Sequence, residues 1–287
     1  SRGCNNYLLY IDFMRFTFIS LLLLVAALTS TMQAASGKVA AMRDVVPDGY
    51  DFWLYAPEEY DEKPHERFPV IIFMHGASLC GRDMKRSRRY GVLDAVEKGR
   101  EINALIITPQ NPGGSWKPHK INAILEYVVK NCRVDTSRVY VIGMSLGGYG
   151  TMDFVGTYPQ KVAAAMALCG GCTLNDCTGL GDAPLWIIHG TADRAVRVGQ
   201  SKKVVKALHD AGKDSLLRYE WIPGMNHSQP SRYFYLAKTY EWLFSHSLND
   251  NPRKVNREIT ISAAERKASY SDISSRDTPI ATVTEIK

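Results

Sequence analysis

The segment Val139-Tyr-Val-Ile-Gly-Met-Ser-Leu-Gly-Gly-Tyr-Gly150 decides how the rest of this 287-residue chain is interpreted. Its first four residues are β-branched or aromatic, which predicts a buried strand. Gly143, Ser145 and Gly147 then form a Gly-x-Ser-x-Gly arrangement, and a helical pattern follows. Such glycines permit a sharp strand-to-helix turn that pushes the serine hydroxyl out above the sheet. The segment predicts a nucleophilic serine, although a serine that merely caps a helix would give the same motif.

Apolar runs and helical patterns alternate along most of the remaining chain. Five further runs predict buried strands: Val70–Met74, Ala104–Thr108, Val162–Leu168, Leu185–Ile188 and Leu217–Ile222. An antiparallel pair is predicted before them, over Lys38–Val46 and Tyr50–Ala56, and a last helix from Ser231 to Phe244. The alternation predicts an α/β fold with a mostly parallel sheet and helices on both faces.

Polar residues that could act with Ser145 follow the ends of predicted strands. Asp193 ends the run that begins at Leu185, and His227 follows the run that begins at Leu217. Functional groups of parallel α/β sheets collect at the carboxyl ends of the strands. A serine nucleophile needs a base, and the base needs an orienting acid, in the chain order Ser, Asp, His. Taken alone, Asp193 could be a helix cap and His227 an ordinary surface residue. Taken together with Ser145, they predict a catalytic triad.

The oxyanion of an acyl-transfer intermediate needs two backbone N–H donors. The residue after the serine, Leu146, is expected to supply the first donor. The loop after the Val70–Met74 strand is expected to supply the second, and we predict Ala77, with a neighbouring residue of that loop as the alternative. His75 and His189 each precede a glycine at a strand end and are expected to shape their loops.

The motifs quoted above resemble those of the α/β-hydrolase superfamily. Within it, residues from about Val39 to Leu248 are similar to secreted esterases grouped with feruloyl and acetyl-xylan esterases, to dienelactone hydrolase-like proteins and to the catalytic domain of prolyl oligopeptidases. True dienelactone hydrolases carry cysteine where this chain has Ser145. The resemblance implies an α/β-hydrolase fold and hydrolysis of acyl esters.

The connection between the predicted strands Val162–Leu168 and Leu185–Ile188 is short and rich in cysteine and glycine. Many lipases insert a helical lid there, whereas this connection has no room for a large lid domain. An open site suits an ester on a bulky, water-soluble chain. Trp116, in a Gly-Gly-Ser-Trp loop, is a candidate stacking platform for a sugar or an aromatic acyl group; packing against the rim of the sheet is the alternative.

Three regions are predicted along the chain: residues 1–35, 36–248 and 249–287. Met14-Arg15, an apolar run from Phe16 to Leu28 and small residues near Ala35 have the pattern of a secretory signal peptide. Residues 36–248 are expected to form the catalytic domain. The polar, charged stretch 249–287 is expected to be a disordered tail.

Charge and cysteine content say less about function. The net charge of +6 is mild, and a basic cluster between Arg82 and Arg89 is expected to be a solvated face rather than an anion site. Five cysteines remain outside the first region, so at least one should be unpaired, while Cys172 and Cys177 could close a short loop. Three of the five lie close together, but no fourth ligand has zinc-site spacing.

These observations predict a secreted or periplasmic serine carboxylesterase. The resemblance suggests feruloyl or acetyl esters of plant polysaccharide as substrates, with a prolyl oligopeptidase-like peptidase on short peptides as the alternative. No metal or organic cofactor is implied. The expected partner is an acylated oligo- or polysaccharide, without nucleic acid and without a stable membrane anchor after signal cleavage.

Overall fold

The computed structural model describes residues 37–271, 273 and 279–287, so the predicted signal peptide lies outside the described residues. The strands are β1 Lys38–Met42, β2 Phe52–Ala56, β3 Phe68–Met74, β4 Leu105–Pro109, β5 Val134–Met144, β6 Ala164–Leu168, β7 Leu185–Gly190, β8 Leu217–Ile222 and β9 Ala281–Val283. The α-helices are α1 Glu59–Glu62, α2 Val92–Glu97, α3 Pro118–Asn131, α4 Leu146–Thr157, α5 Gly199–Asp210, α6 Ala237–Phe244 and α7 Ala263–Lys267.

All described strands join one sheet in the order β8-β7-β6-β5-β3-β4-β2-β1-β9. The pairs from β4 through β3, β5, β6 and β7 to β8 are parallel, whereas β2 pairs antiparallel with both β1 and β4. Parallel neighbours need crossover connections, and the helical patterns between the apolar runs supply them. The predicted α/β class with a mostly parallel sheet is confirmed.

Strand β3 shows why both faces of the sheet are covered. All seven of its residues are buried, and successive side chains point to opposite faces. Phe68, Val70, Ile72 and Met74 pack into one hydrophobic cluster with α3 and α4, whereas Ile71 and Phe73 pack into a second cluster with α2 and α6. A continuous apolar run is therefore required here, because neither face meets water.

The predicted helix from Ser231 to Phe244 is divided. A 3₁₀ segment, Gln229–Tyr235, comes first, Leu236 is extended, and α6 begins at Ala237. Tyr233, Phe234 and Tyr235 are consecutive and all buried. One face of an α-helix cannot bury three consecutive side chains, since they point in directions about 100° apart. Burial of the three rings explains the interruption.

The described part of the predicted disordered tail is packed on the domain. Strand β9 pairs in parallel with β1, and Val255, Ile261 and Ile286 are buried. The Arg218 guanidinium of β8 donates to the carbonyls of Asn256 and Ile259. The described part of this segment is thus ordered, contrary to the predicted disordered tail, because its few apolar side chains reach the hydrophobic core. Within the described ranges, no helix is long and apolar enough to cross a membrane.

Candidate active site

Ser145 occupies a strained turn between β5 and α4. Its φ of 58° and ψ of −120° lie where residues other than glycine are rarely found. The turn depends on the adjacent glycines: a Cβ on Gly143 would lie 2.3 Å from the Gly147 carbonyl oxygen, and a Cβ on Gly147 would lie 1.8 Å from the Met74 carbonyl oxygen. The close approach of strand and helix excludes any side chain at either position.

The structure brings Ser145, His227 and Asp193 together. The His227 Nε2 atom lies 2.9 Å from the Ser145 Oγ atom, and its Nδ1 atom lies 2.7 Å from an Asp193 carboxylate oxygen. An ionised carboxylate only accepts hydrogen bonds, so Nδ1 carries the proton and Nε2 accepts from the serine hydroxyl. The residues come from the ends of three strands, β5, β7 and β8, as the sequence placed them.

Asp193 is held by its own loop as well as by His227. The other carboxylate oxygen accepts from the N–H groups of Ala195 at 2.9 Å and Val196 at 2.8 Å. The residue is 6% exposed, and hydrogen bonds from N–H groups offset the cost of burying a charge. The carboxylate is therefore fixed before any substrate arrives.

His189 shapes the same loop. Its Nε2 atom lies 2.8 Å from the Val196 carbonyl oxygen and 3.3 Å from the Asp193 carboxylate, and its Nδ1 atom lies 2.8 Å from the Ser201 hydroxyl. Burial lowers the pKa of His189. The ring therefore stays neutral at ordinary pH and braces the loop, as expected from the sequence.

The two predicted oxyanion donors lie at the starts of helical turns. Leu146 begins α4 and Ala77 begins a 3₁₀ turn, Ala77–Leu79. The N–H groups of a first turn have no partner within the helix. The Gly76 N–H already donates to the Tyr90 hydroxyl at 2.7 Å, so Gly76 is the less suitable donor of this loop. A Cβ on Gly76 would lie 3.4 Å from the Ser145 Cβ, which brings the loop against the serine.

His75 fixes the direction of the Ala77 N–H. The Asn111 N–H donates to His75 Nε2 at 3.1 Å, so the Nδ1 atom carries the proton and donates to the Gly76 carbonyl at 2.8 Å. In a trans peptide, the carbonyl of Gly76 and the N–H of Ala77 point in opposite directions. Holding the carbonyl therefore aims the N–H. Burial lowers the pKa of His75 to about 4, which keeps the ring neutral.

Two more side chains brace this loop, and the sequence reading missed both. Tyr90 accepts from Gly76, and burial raises its pKa to about 12. The Arg86 guanidinium donates to the carbonyls of Ser78 at 2.9 Å and Leu79 at 3.3 Å. Arg86 belongs to the basic cluster that was interpreted as a solvated face. No local sequence pattern predicts these contacts, since the partners lie at least seven positions apart along the chain.

Trp116 does not form a platform in this structure. The side chain is 3% exposed, its Nε1 donates to the His75 carbonyl at 3.2 Å, and its ring meets Tyr50 and His75 edge-on. A Cβ on Gly150 would lie 2.7 Å from the indole. The loop carries the ring inward because the apolar indole fills the gap between α4 and the His75 loop. The alternative, packing against the rim of the sheet, describes the position of Trp116.

Cys169 is a buried neighbour of the triad. A ligand atom of Cys169, Asp193 and His227 each lies within 4.8 Å of the other two, which is the one such group among the described residues. Asp193 and His227 already bond to each other, and burial raises the pKa of the Cys169 thiol to about 12. A thiol held protonated is a poor metal ligand. The five described cysteines, including Cys172 and Cys177, are free thiols.

Comparisons with known proteins agree with this fold. A family model described as phospholipase/carboxylesterase matches residues 115–243. Feruloyl esterase B of Talaromyces stipitatus is 27% identical over 169 residues, 53% of this chain and 44% of the esterase. Acylamino-acid-releasing enzyme 2 of Oryza sativa subsp. japonica is 37% identical over 132 residues, 41% of this chain and 17% of that enzyme.

The chain thus spans less than half the length of both relatives. A solved structure of a thermostable esterase is similar with a TM-score of 0.58 at 24% identity, over 69% of this chain and 59% of that one. At this level of sequence identity, the similarity shows the fold alone. Taken with the nine-stranded sheet and the strained serine turn, these matches show an α/β-hydrolase fold in a chain that resembles feruloyl esterases.

Proposed function

We propose that this chain is a serine carboxylesterase that hydrolyses acyl esters through an acyl-enzyme, with feruloyl or acetyl esters of plant polysaccharide as substrates. One observation carries the proposal: the hydroxyl of a strained serine lies 2.9 Å from a histidine that is itself bonded to a buried carboxylate. Such strain persists only when the surrounding structure maintains it, and it is concentrated at functional sites.

The first half of the reaction follows from the hydrogen bonds. The Ser145 oxygen attacks the ester carbonyl carbon while His227 Nε2 takes the hydroxyl proton. Asp193 keeps His227 in the tautomer that leaves Nε2 free, and it stabilises the imidazolium that forms. The N–H groups of Leu146 and Ala77 donate to the developing oxyanion, and each such donor contributes about 3 to 4 kcal/mol to a transition state.

The second half regenerates the serine. His227 gives its proton to the leaving alcohol, so the C–O bond breaks and the acyl group remains on Ser145. A water molecule then donates a proton to His227 Nε2 and attacks the acyl carbon, releasing the acid. The His227 side chain is 29% exposed, so the ring borders on solvent.

The nature of the relatives and the open site support the proposed substrates. Feruloyl esterase B and the phospholipase/carboxylesterase model point to ester hydrolysis. The connection from β6 to β7 contains only a short 3₁₀ segment, Thr178–Asp182, and inserts no lid domain over the serine. A site without a lid accepts an acyl group attached to a long chain.

The test is release of ferulate, acetate and p-nitrophenol from matched esters by the wild type and by Ser145→Ala. We expect the wild type to cleave and the variant to be slower by at least roughly 10⁴-fold, because the nucleophile is lost. The preferred acyl group then defines the substrate class. Equal rates in the two proteins, or no cleavage of any ester by the wild type, would refute the proposal.

A peptidase that acts on short peptides is the second candidate. Its support is the 37% identity to an acylamino-acid-releasing enzyme over 132 residues. Amide and ester hydrolysis use the same triad, so the geometry favours neither bond. Turnover of acetyl-peptide p-nitroanilides without turnover of the matched p-nitrophenyl esters would favour this candidate over the esterase.

Export to the periplasm or the medium is part of the proposal. It rests on the signal-peptide pattern between Met14 and Ala35. N-terminal sequencing of the protein recovered from the medium or periplasm should find a start close to Ser36. Recovery only from the cytoplasm with residues 14–35 attached would contradict it.

A further inference from the structure

The edge strand β8 displays two aromatic side chains on the same face. Tyr219 and Trp221 are two residues apart, so both point toward α5, which lies beside the strand. Tyr219 is 48% exposed, and among the described residues only Tyr270 is a comparably exposed large apolar side chain. A large aromatic ring left in water on a sheet edge is a candidate contact surface.

The two rings form one continuous strip. Their centroids lie 5.2 Å apart, and their planes differ by 33°. The strip forms one wall of a groove of about 450 Å³ between β8 and α5, which we call the β8–α5 groove. A strip of this shape offers flat apolar faces to flat apolar partners, and the axial C–H faces of pyranose rings are such partners.

Cations surround the strip. The Lys202 ammonium lies 5.9 Å from the centre of the Trp221 ring, and Lys206 and Arg257 also line the groove. One carboxylate, Asp214, lines it as well, and its partner is His209 at 2.9 Å, while Lys206 pairs with the carboxylate of Asp210 one turn further along α5. Lys202 has no carboxylate partner among the residues described. The groove therefore carries an excess of positive charge next to its aromatic strip.

We propose that the β8–α5 groove binds an acidic oligosaccharide, with pyranose rings against Tyr219 and Trp221 and a uronic-acid carboxylate at Lys202. The cores of protein–protein interfaces are depleted of lysine, so the groove fits a protein partner less well. The groove is separate from the triad, but β8 leads directly into the loop that carries His227. Polysaccharide as the source of this ligand rests on the proposed function.

The experiment measures binding to xylo-oligosaccharides with and without glucuronic acid substituents, by titration calorimetry on the full chain carrying Ser145→Ala. We expect Tyr219→Ala to raise the dissociation constant for the acidic oligosaccharide about tenfold, the cost of losing one stacked ring. Lys202→Gln should remove the preference for the acidic over the neutral oligosaccharide. Added salt should weaken acidic binding selectively, because salt screens exposed charges.

Tyr270→Ala is the matched control, since it removes an equally exposed tyrosine from another surface and should leave binding unchanged. Unaltered binding in Tyr219→Ala, or no binding by the parent protein, would overturn the proposal. So would a dimer in sedimentation that Tyr219→Ala dissolves, since the groove would then hold a second copy of the chain. Because binding is measured without turnover, failure of the esterase proposal would leave this result unaffected.

Discussion

The two halves of the candidate site are held in place by different means. On the nucleophile side, backbone contacts leave no space for a side chain at Gly143 or Gly147, so the residue type is dictated locally. On the oxyanion side, the loop from Gly76 to Leu79 is positioned by the adjoining His75 and by two side chains from farther along the chain, Tyr90 and Arg86. Steric exclusion leaves a motif in the sequence, whereas bracing by distant side chains does not.

Gly147→Ala should have the largest effect. The new methyl group would lie 1.8 Å from the Met74 carbonyl oxygen, so β3 and α4 must separate. We expect a loss of more than about 4 kcal/mol in the free energy of unfolding, or no folded protein, measured by urea denaturation. Gly199→Ala is the control, because a Cβ there meets nothing within 4 Å. If the two variants were about equally stable, steric exclusion of a side chain would not be the reason for the glycine at position 147.

Asp193→Asn should reduce turnover by roughly 10⁴-fold without unfolding the chain. The amide can donate to His227 Nδ1 and so favour the tautomer that cannot accept the serine proton. Initial rates on a p-nitrophenyl ester measure the effect. Asp153→Asn removes another buried carboxylate, which accepts from the Thr173 N–H at 2.7 Å, and should lower stability while preserving turnover. Equal losses of turnover in both would show a general packing effect.

Acid should destabilise the oxyanion side through His75. Burial lowers its pKa to about 4, below the ordinary value of 6.5, so the unfolded chain binds the proton more readily. The contribution of neutral His75 to the free energy of unfolding is therefore fully present above about pH 6.5. It is lost as the pH falls toward 4, and the loss is on the order of 3 kcal/mol. Denaturation curves between pH 7 and pH 4 measure the loss. His75→Gln should flatten this part of the profile, whereas replacing the exposed His209 by Gln should not.

Tyr90→Phe should have the smallest effect of the four. It leaves the ring in place but removes the acceptor of the Gly76 N–H, so the adjacent Ala77 N–H is held less firmly. We expect kcat to fall about tenfold with KM unchanged, a part of what one oxyanion donor contributes. Tyr140→Phe removes another buried hydroxyl, which donates to the His246 carbonyl at 2.8 Å, and should leave kcat intact. If Tyr90→Phe had the same kcat as the wild type, the Tyr90 hydroxyl would not position this loop.

The sequence predicted those structural elements that are determined by residues close to one another in the chain. The buried strands follow from apolar runs, and the positions of Ser145, Asp193 and His227 follow from their places after strand ends. The predicted last helix was interrupted because Tyr233, Phe234 and Tyr235 all enter the core, which depends on neighbours that no local pattern reveals. The sequence left two positions open for Trp116, a stacking platform or packing against the rim of the sheet, because the space beside Gly150 that receives the indole exists only in the folded chain.

The packing of residues 253–261 across β8 also bears on how the protein behaves at high concentration. Strand β8 ends the sheet, and an unpaired edge is where chains join into aggregates. Here the Arg218 guanidinium carbon lies 3.6 Å from the centre of the Trp186 ring, and the group donates to two carbonyls of the later segment and to Glu220 at 2.7 Å. A foreign strand would have to displace an embedded charge to add to this edge. At the opposite border the edge strand is β9, which pairs with β1 and is only three residues long, and so short an edge offers few free backbone groups for strand addition.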